Sequence, residues 1–138
     1  MKTNEPKYPL MENQVTDLHA ASGRNVNEIN LEAALSGELS PADLQINAET
    51  LRAQAQIAAQ AGFAQLAENL SRSAELTAVP NEELLRMYSV VRPGRSTYAE
   101  LQTLAETLEK TYNAPLNAQL VREAAAVYQQ RNLLKRTF

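Results

Sequence analysis

The chain has 138 residues, no cysteine, a net charge of −3 and 44% hydrophobic residues. This length fits one domain, and the lack of cysteine excludes disulfides, thiol nucleophiles and cysteine-bound metals. The lysines and arginines are too scattered for a nucleic-acid-binding face, no apolar run approaches the ~20 residues that span a membrane, and the first residues do not form a signal peptide.

The first 28 residues contain prolines and few large apolar side chains, with Tyr8 and Leu10 as the exceptions around Pro9. Such a segment frays or lies extended against another molecule. We therefore predict an extended N-terminal arm over residues 1–28 that lies on a partner, followed by a helical domain over residues 29–138. An aromatic residue in an arm is a plausible interface anchor.

Helix signals fill the rest of the chain. Asn30 caps a short helix that Gly37 ends, and Asn47 is the next predicted cap. Ser96 and Thr97 compete as a later cap, and Thr97 with Glu100 forms a predicted capping box. Together with proline and periodicity signals, these caps predict further helices over about 48–61, 63–78, 81–91, 98–112 and 116–134. The clearest amphipathic stripe is formed by Tyr98, Leu101, Leu104, Ala105, Leu108 and Tyr112. In the helix before it, Leu84, Tyr88 and Val91 form the predicted buried stripe. No segment alternates as a strand does. The predicted fold is all-α, a small bundle of about five to six helices with an extended N-terminal arm.

The sequence contains no recognisable combination of catalytic side chains. His19 is the only histidine and has no paired carboxylates near it, so it cannot build a usual metal or acid–base cluster. The acid pairs Glu82–Glu83 and Glu106–Glu109 are expected on solvent-facing helix surfaces rather than across a cleft. We predict no catalytic, cofactor-binding or metal-binding residue in this chain.

The turn from Arg92 to Arg95 is the most informative polar feature, because two guanidiniums flank a Pro-Gly turn before a predicted helix start. Arg92 and Arg95 either dock a carboxylate of another chain or brace the turn against acceptors of their own chain. A phosphate ligand is a weaker third alternative. The basic residues Arg131, Lys135 and Arg136 are expected near the end of the last helix, where cations suit the helix dipole.

Several segments, in order, resemble the small subunit of the adenosylcobalamin-dependent diol and glycerol dehydratases. They are Tyr8-Pro9-Leu10, Leu35-Ser36-Gly37, Glu49-Thr50-Leu51, Ala74-Glu75-Leu76-Thr77-Ala78-Val79-Pro80, Arg92-Pro93 with Arg95-Ser96, and Val121-Arg122-Glu123-Ala124-Ala125. The resemblance runs from Tyr8 to about Lys135, and the order and spacing of the segments are more specific than any one of them.

The resemblance implies a non-catalytic structural subunit of a hydro-lyase that converts a 1,2-diol or glycerol to an aldehyde. In that family the small subunit packs on a large catalytic subunit, adenosylcobalamin is held by the large and medium subunits, and the enzyme is a dimer of heterotrimers. The implied location is the cytoplasm, in association with a bacterial microcompartment. The chain lacks the long N-terminal extension of the propanediol type, which favours the glycerol type or a trimmed chain. With the residue analysis, the resemblance makes Tyr8, Pro9, Leu10, Arg92 and Arg95 the candidate partner-interface residues.

Two departures from the family pattern favour an alternative function. Gln14-Val15-Thr16 replaces a His-Pro-Glu run, and Gly94 stands where an aromatic residue commonly follows the Arg-Pro pair. The alternative is a stand-alone helical interaction module, or a diverged paralogue with a different partner.

Overall fold

The computed structural model describes residues 5–137, apart from the side chain of Val15, and it builds them from α-helices, short 3-10 turns and connecting loops. The seven α-helices are α1 (Leu10–Asn13), α2 (Leu31–Ser36), α3 (Ala48–Gln60), α4 (Ala64–Leu76), α5 (Asn81–Val90), α6 (Tyr98–Lys110) and α7 (Pro115–Gln130). Within the described range, extended pairing is limited to two isolated bridges, His19 with Asn25 and Ala20 with Ile46. The all-α prediction is confirmed.

The chain divides into two units, Met1–Ala74 and Glu75–Phe138. In the N-terminal unit the buried apolar side chains are mostly small ones. They are Leu10, Leu18, Ala20, Ala33, Leu51, Ala55, Ala58 and Ala74. Because alanine buries little area, this unit gains little hydrophobic stabilisation for its length. Residues 1–4 and 138, at the outer ends of the predicted arm and helical domain, lie outside the described residues, and the division at residue 28 stays a prediction.

In the C-terminal unit, α6 and α7 form the main packed pair. The core cluster contains Val79, Met87, Leu101, Leu104, Ala105, Leu108, Ala114, Ala118, Val121 and Ala125. The α6 stripe that the sequence predicts is therefore buried at its four central positions, and Leu101 is completely inaccessible. The α5 prediction is partly wrong, because Tyr88 is 56% exposed. Leu85 on the same helix is 69% exposed, so the apolar side chains of α5 extend beyond those that the core buries.

The last helix begins and ends at different residues from those predicted. Pro115 is its first residue, as suits a residue that has no N–H to leave unpaired. The helix ends at Gln130 because Asn132 adopts a left-handed conformation (φ 55°). Two backbone bonds then close the end, from Leu133 N–H to the Tyr128 carbonyl (2.8 Å) and from Asn132 N–H to the Gln129 carbonyl (3.4 Å). Lys135 and Arg136 consequently lie beyond the helix and are not its last-turn cations.

Candidate partner interface

The turn between α5 and α6 is fixed mainly by backbone bonds. Gly94 has a φ of 77°, a conformation that L side chains rarely adopt, and the Arg95 N–H donates to the Arg92 carbonyl at 3.2 Å. The buried hydroxyl of Ser96 donates to the Val90 carbonyl at 2.8 Å, which ties the start of α6 to the end of α5. These bonds fix the backbone of the turn and therefore the positions from which its side chains project.

The C-terminal segment after α7 pairs with this turn. The Gly94 N–H donates to the Leu133 carbonyl at 2.7 Å, and the Lys135 N–H donates to the Ser96 carbonyl at 2.9 Å. The Tyr128 hydroxyl adds a bond to the Val91 carbonyl at 2.8 Å. Backbone and tyrosine contacts thus hold the turn, a role that one sequence interpretation gave to the arginines.

Arg92 and Arg95 are exposed, and the structure gives neither guanidinium a hydrogen bond or ion pair with any of residues 5–137. Five fork-like N–H donors on each side chain are therefore available to another molecule. That the molecule is a protein partner stays a prediction.

The Tyr8-Pro9-Leu10 segment splits between surface and core. Tyr8 is 80% exposed, Pro9 is half-buried, and Leu10 is a buried member of the N-terminal unit at the start of α1. The Pro9 carbonyl accepts bonds from Glu12 N–H (3.2 Å) and Asn13 N–H (3.2 Å), which continue the segment into the helix. Tyr8 is therefore the member of the segment whose side chain is most available for a partner.

An apolar groove in the C-terminal unit extends the set of candidate surfaces. It has a volume of about 330 Å³ and lies between α5 and α7 above α6. Its lining includes Leu84, Tyr88, Leu104, Leu120 and Ala124. The exposed stripe of α5 described above forms one wall, so the misassigned core position Tyr88 is a groove residue.

Three of the four acidic candidates, Glu83, Glu106 and Glu109, form ion pairs on the surface rather than a catalytic pair, and Glu82 is exposed. Arg86 bonds Glu83 and holds the pKa of that carboxyl below its usual range, and Arg122 does the same to the pKa of Glu109. Lys110 pairs with Glu106 at 3.3 Å. His19 Nδ1 lies 3.0 Å from the Asp17 carbonyl oxygen. Within residues 5–137 no three histidine or carboxylate side chains come together as metal ligands.

Two carboxylates with a structural role were not identified from the sequence. Glu75 accepts bonds from Leu116 N–H (3.0 Å), Asn117 N–H (3.0 Å) and the Asn117 side-chain amide (2.7 Å), and so caps α7. Asp43 is buried and accepts bonds from Ser22 and Ser40, with Arg24 3.3 Å away. The Glu75 contact with Leu116 spans 41 positions and the Asp43 contact with Ser22 spans 21, so local patterns carry no signal for these two. The Ser40–Asp43 contact spans three positions and is a local capping box.

No helix of residues 5–137 is long and apolar enough to cross a membrane. A family model described as "Dehydratase small subunit" matches residues 3–135. The chain is 44% identical over 128 residues to the propanediol dehydratase small subunit of Citrobacter freundii, a match that covers 93% of this chain and 74% of the relative. The corresponding protein of Salmonella typhimurium strain LT2 is 43% identical over the same shares. The chain therefore belongs to the dehydratase small-subunit family.

Proposed function

We propose that this chain is a small, non-catalytic structural subunit of an adenosylcobalamin-dependent diol dehydratase, which converts a 1,2-diol or glycerol to an aldehyde. The observation that carries the proposal is the family match over residues 3–135, together with relatives named as propanediol dehydratase small subunits. In this assembly the chain packs against the large catalytic subunit. The assembled enzyme is a dimer of heterotrimers in the cytoplasm, in association with a bacterial microcompartment.

The cofactor belongs to other subunits in this proposal. The described side chains do not fit a cobalamin or metal site, since the single histidine lies against a backbone carbonyl and three of the four paired acids, Glu83, Glu106 and Glu109, are bound to arginine or lysine. Adenosylcobalamin supplies the radical chemistry when it is bound to the large and medium subunits. The role of this chain is to stabilise the surface on which it docks.

The proposed docking residues are Tyr8, Pro9, Leu10, Arg92 and Arg95. Support comes from the exposure of Tyr8 and of both guanidiniums, and from a turn that is held without them. Leu10 contributes indirectly, because its burial fixes where Pro9 and Tyr8 leave the N-terminal unit. Since neither guanidinium forms a hydrogen bond or ion pair with the described residues, Arg92→Ala and Arg95→Ala are expected to weaken assembly more than they lower the stability of the chain.

Co-expression with the large and medium dehydratase subunits tests the proposal. We expect a tagged form of this chain to retain both subunits through size-exclusion chromatography, and we expect diol dehydration only from the assembled complex with adenosylcobalamin. If the chain never associates with the large subunit, the alternative of a separate interaction module replaces this function. Diol turnover by the isolated chain would contradict the non-catalytic role.

A further inference from the structure

Two segments that are distant in sequence bring four cations to one junction of the C-terminal unit. The bonds from Gly94 to Leu133 and from Lys135 to Ser96 join the α5–α6 turn to the C-terminal segment. The turn contributes Arg92 and Arg95, the C-terminal segment contributes Lys135 and Arg136, and all four side chains are exposed. We call these four residues the basic surface.

The same junction contains an open depression of about 410 Å³. Pro93 and Gly94 line it on the turn side, and Leu133, Lys135 and Arg136 line it on the other side. The shared lining places the cations of the C-terminal segment beside the backbone that carries the two turn arginines. The basic surface is therefore a product of the fold and not a run of neighbouring charges in the sequence.

The charge of this surface is not neutralised by the described part of the chain. None of the four cations forms an ion pair with residues 5–137. Glu100 is the acid that Lys135 influences, and its carboxylate already accepts the Thr97 N–H at 2.7 Å. Four cations therefore face solvent, and the carboxylate of Glu100 that Lys135 influences is itself engaged in capping α6.

We propose that the basic surface binds a cluster of aspartate and glutamate side chains on the large dehydratase subunit. This inference rests on the proposed function and adds the chemistry of the partner. Guanidinium forks match carboxylates with two parallel bonds, and opposite charges across an interface speed association and select the correct partner. Phosphate is a poorer match, because the Thr97–Glu100 capping box occupies N–H groups at the start of α6 that such an anion would use.

A nucleic-acid partner does not suit the rest of the molecule. The chain has a net charge of −3 and a pI of about 5.2, and nucleic-acid binding requires a wide positive field. Four cations on one end suit a small acidic patch on a protein. The association is therefore expected to depend on salt through a few close charge pairs.

The affinity of purified small subunit for the complex of large and medium subunits tests this inference. We expect Arg92→Glu with Arg95→Glu to raise Kd about tenfold or more, with a smaller effect for the Arg92→Gln and Arg95→Gln pair. We expect high salt to reduce the difference between each variant and the wild type. Arg52→Glu is the matched control, since Arg52 is exposed on α3 outside the basic surface, and its Kd should equal that of the wild type.

A zero-length carbodiimide cross-link identifies the partner groups directly. The reagent joins an amine to a carboxylate only within ion-pair distance, so we expect Lys135 of the assembled enzyme to couple to an aspartate or glutamate of the large subunit. Mass spectrometry of the digested complex identifies the two cross-linked residues. A Lys135 link only to Glu100 or to a second copy of this chain, with the charge-reversal variants assembling like wild type, overturns the inference.

The two proposals fail in different ways. If wild-type chain does not bind the large and medium subunits at all, the proposed function fails. If wild type binds but the Arg92→Glu and Arg95→Glu pair binds equally well, only the basic surface loses its role. Circular dichroism melts of each variant separate a loss of binding from a loss of folding, and the glutamine pair provides a second variant if charge reversal unfolds the chain.

Discussion

Thr97 shows how much the start of one helix depends on a single hydroxyl. Its oxygen accepts the Glu100 N–H at 3.2 Å, and the Glu100 carboxylate accepts the Thr97 N–H at 2.7 Å. The bond from the Thr97 amide is the main reason that the pKa of Glu100 lies below its usual range. This reciprocal capping box was predicted from the sequence, because both partners lie within four residues.

Thr97→Ala is expected to lower the free energy of unfolding by about 1 kcal/mol, since the first turn of α6 loses an acceptor. Urea denaturation followed by circular dichroism gives the value. Thr97→Ser keeps the hydroxyl and is the control, so an equal loss in both variants would show that the hydroxyl is not the cause.

Asp43 in the N-terminal unit is expected to couple stability to pH. The Ser22 hydroxyl, the Ser40 amide and, to a lesser degree, Arg24 lower its pKa from 3.8 to about 2. Because the folded pKa is below the unfolded one, the stabilisation is complete above the unfolded pKa and is lost as the pH falls through the folded pKa. The loss therefore falls between about pH 4 and pH 2.

We expect Asp43→Asn to reduce the dependence of stability on pH across that window, and to lower stability at neutral pH, where the charged acceptor is lost. Thermal melts at a series of pH values, compared between wild type and variant, measure both effects. Glu32→Gln is the control, because Glu32 is exposed on α2 and its side chain makes no hydrogen bond or ion pair with another described residue. If the melting temperatures of wild type and Asp43→Asn fall in parallel between pH 4 and pH 2, Asp43 is not the source of the pH dependence.

At the scale of elements, α6 is the helix that organises the C-terminal unit. Its central apolar positions are all buried, and it packs mainly against α7. The period of these residues made α6 predictable from the sequence, because burial on one face repeats every three to four residues. The period of α5 gave a similar signal, but it did not tell whether this chain or another molecule covers the stripe.

Leu101→Ala is expected to lower the free energy of unfolding by about 3 kcal/mol, because it leaves a cavity where a fully buried side chain was packed. Leu85→Ala is the matched control on α5, where the side chain is 69% exposed, and should cost well under about 1 kcal/mol. Chemical denaturation of the two variants compares them. Similar losses would show that α6 does not form the core of the unit.

At the scale of the whole molecule, the sequence predicted the helices better than it predicted the contacts that join distant segments. The helix starts at Asn30, Asn47 and Thr97 were correct, because caps are local. The Glu75 contact with α7 depends on the path of the chain, which a one-dimensional pattern does not contain. The free guanidiniums of Arg92 and Arg95 also required the structure, since a sequence does not say which acceptors are near.

Glu75→Ala is expected to lower the free energy of unfolding by about 2 kcal/mol, because bonds from one carboxylate to the first turn of α7 are lost. Hydrogen exchange should show the largest change at the Leu116 and Asn117 amides. Glu82→Ala is the control, because Glu82 is an exposed acid in the first turn of the neighbouring helix α5. If Glu82→Ala is as destabilising as Glu75→Ala, the capping role is wrong.

The cap of α7 also bears on the order in which the protein is made. Ala114, at the N-cap position, has no polar side chain, and Pro115 has no N–H, so the first turn of this helix depends on the Glu75 carboxylate. Synthesis proceeds from the N-terminus, and Glu75 therefore leaves the ribosome before any residue of α7. The Glu75 carboxylate is therefore available as a cap when α7 is synthesised. In a ribosome-bound chain that stops after Lys110, the same carboxylate has no helix to cap.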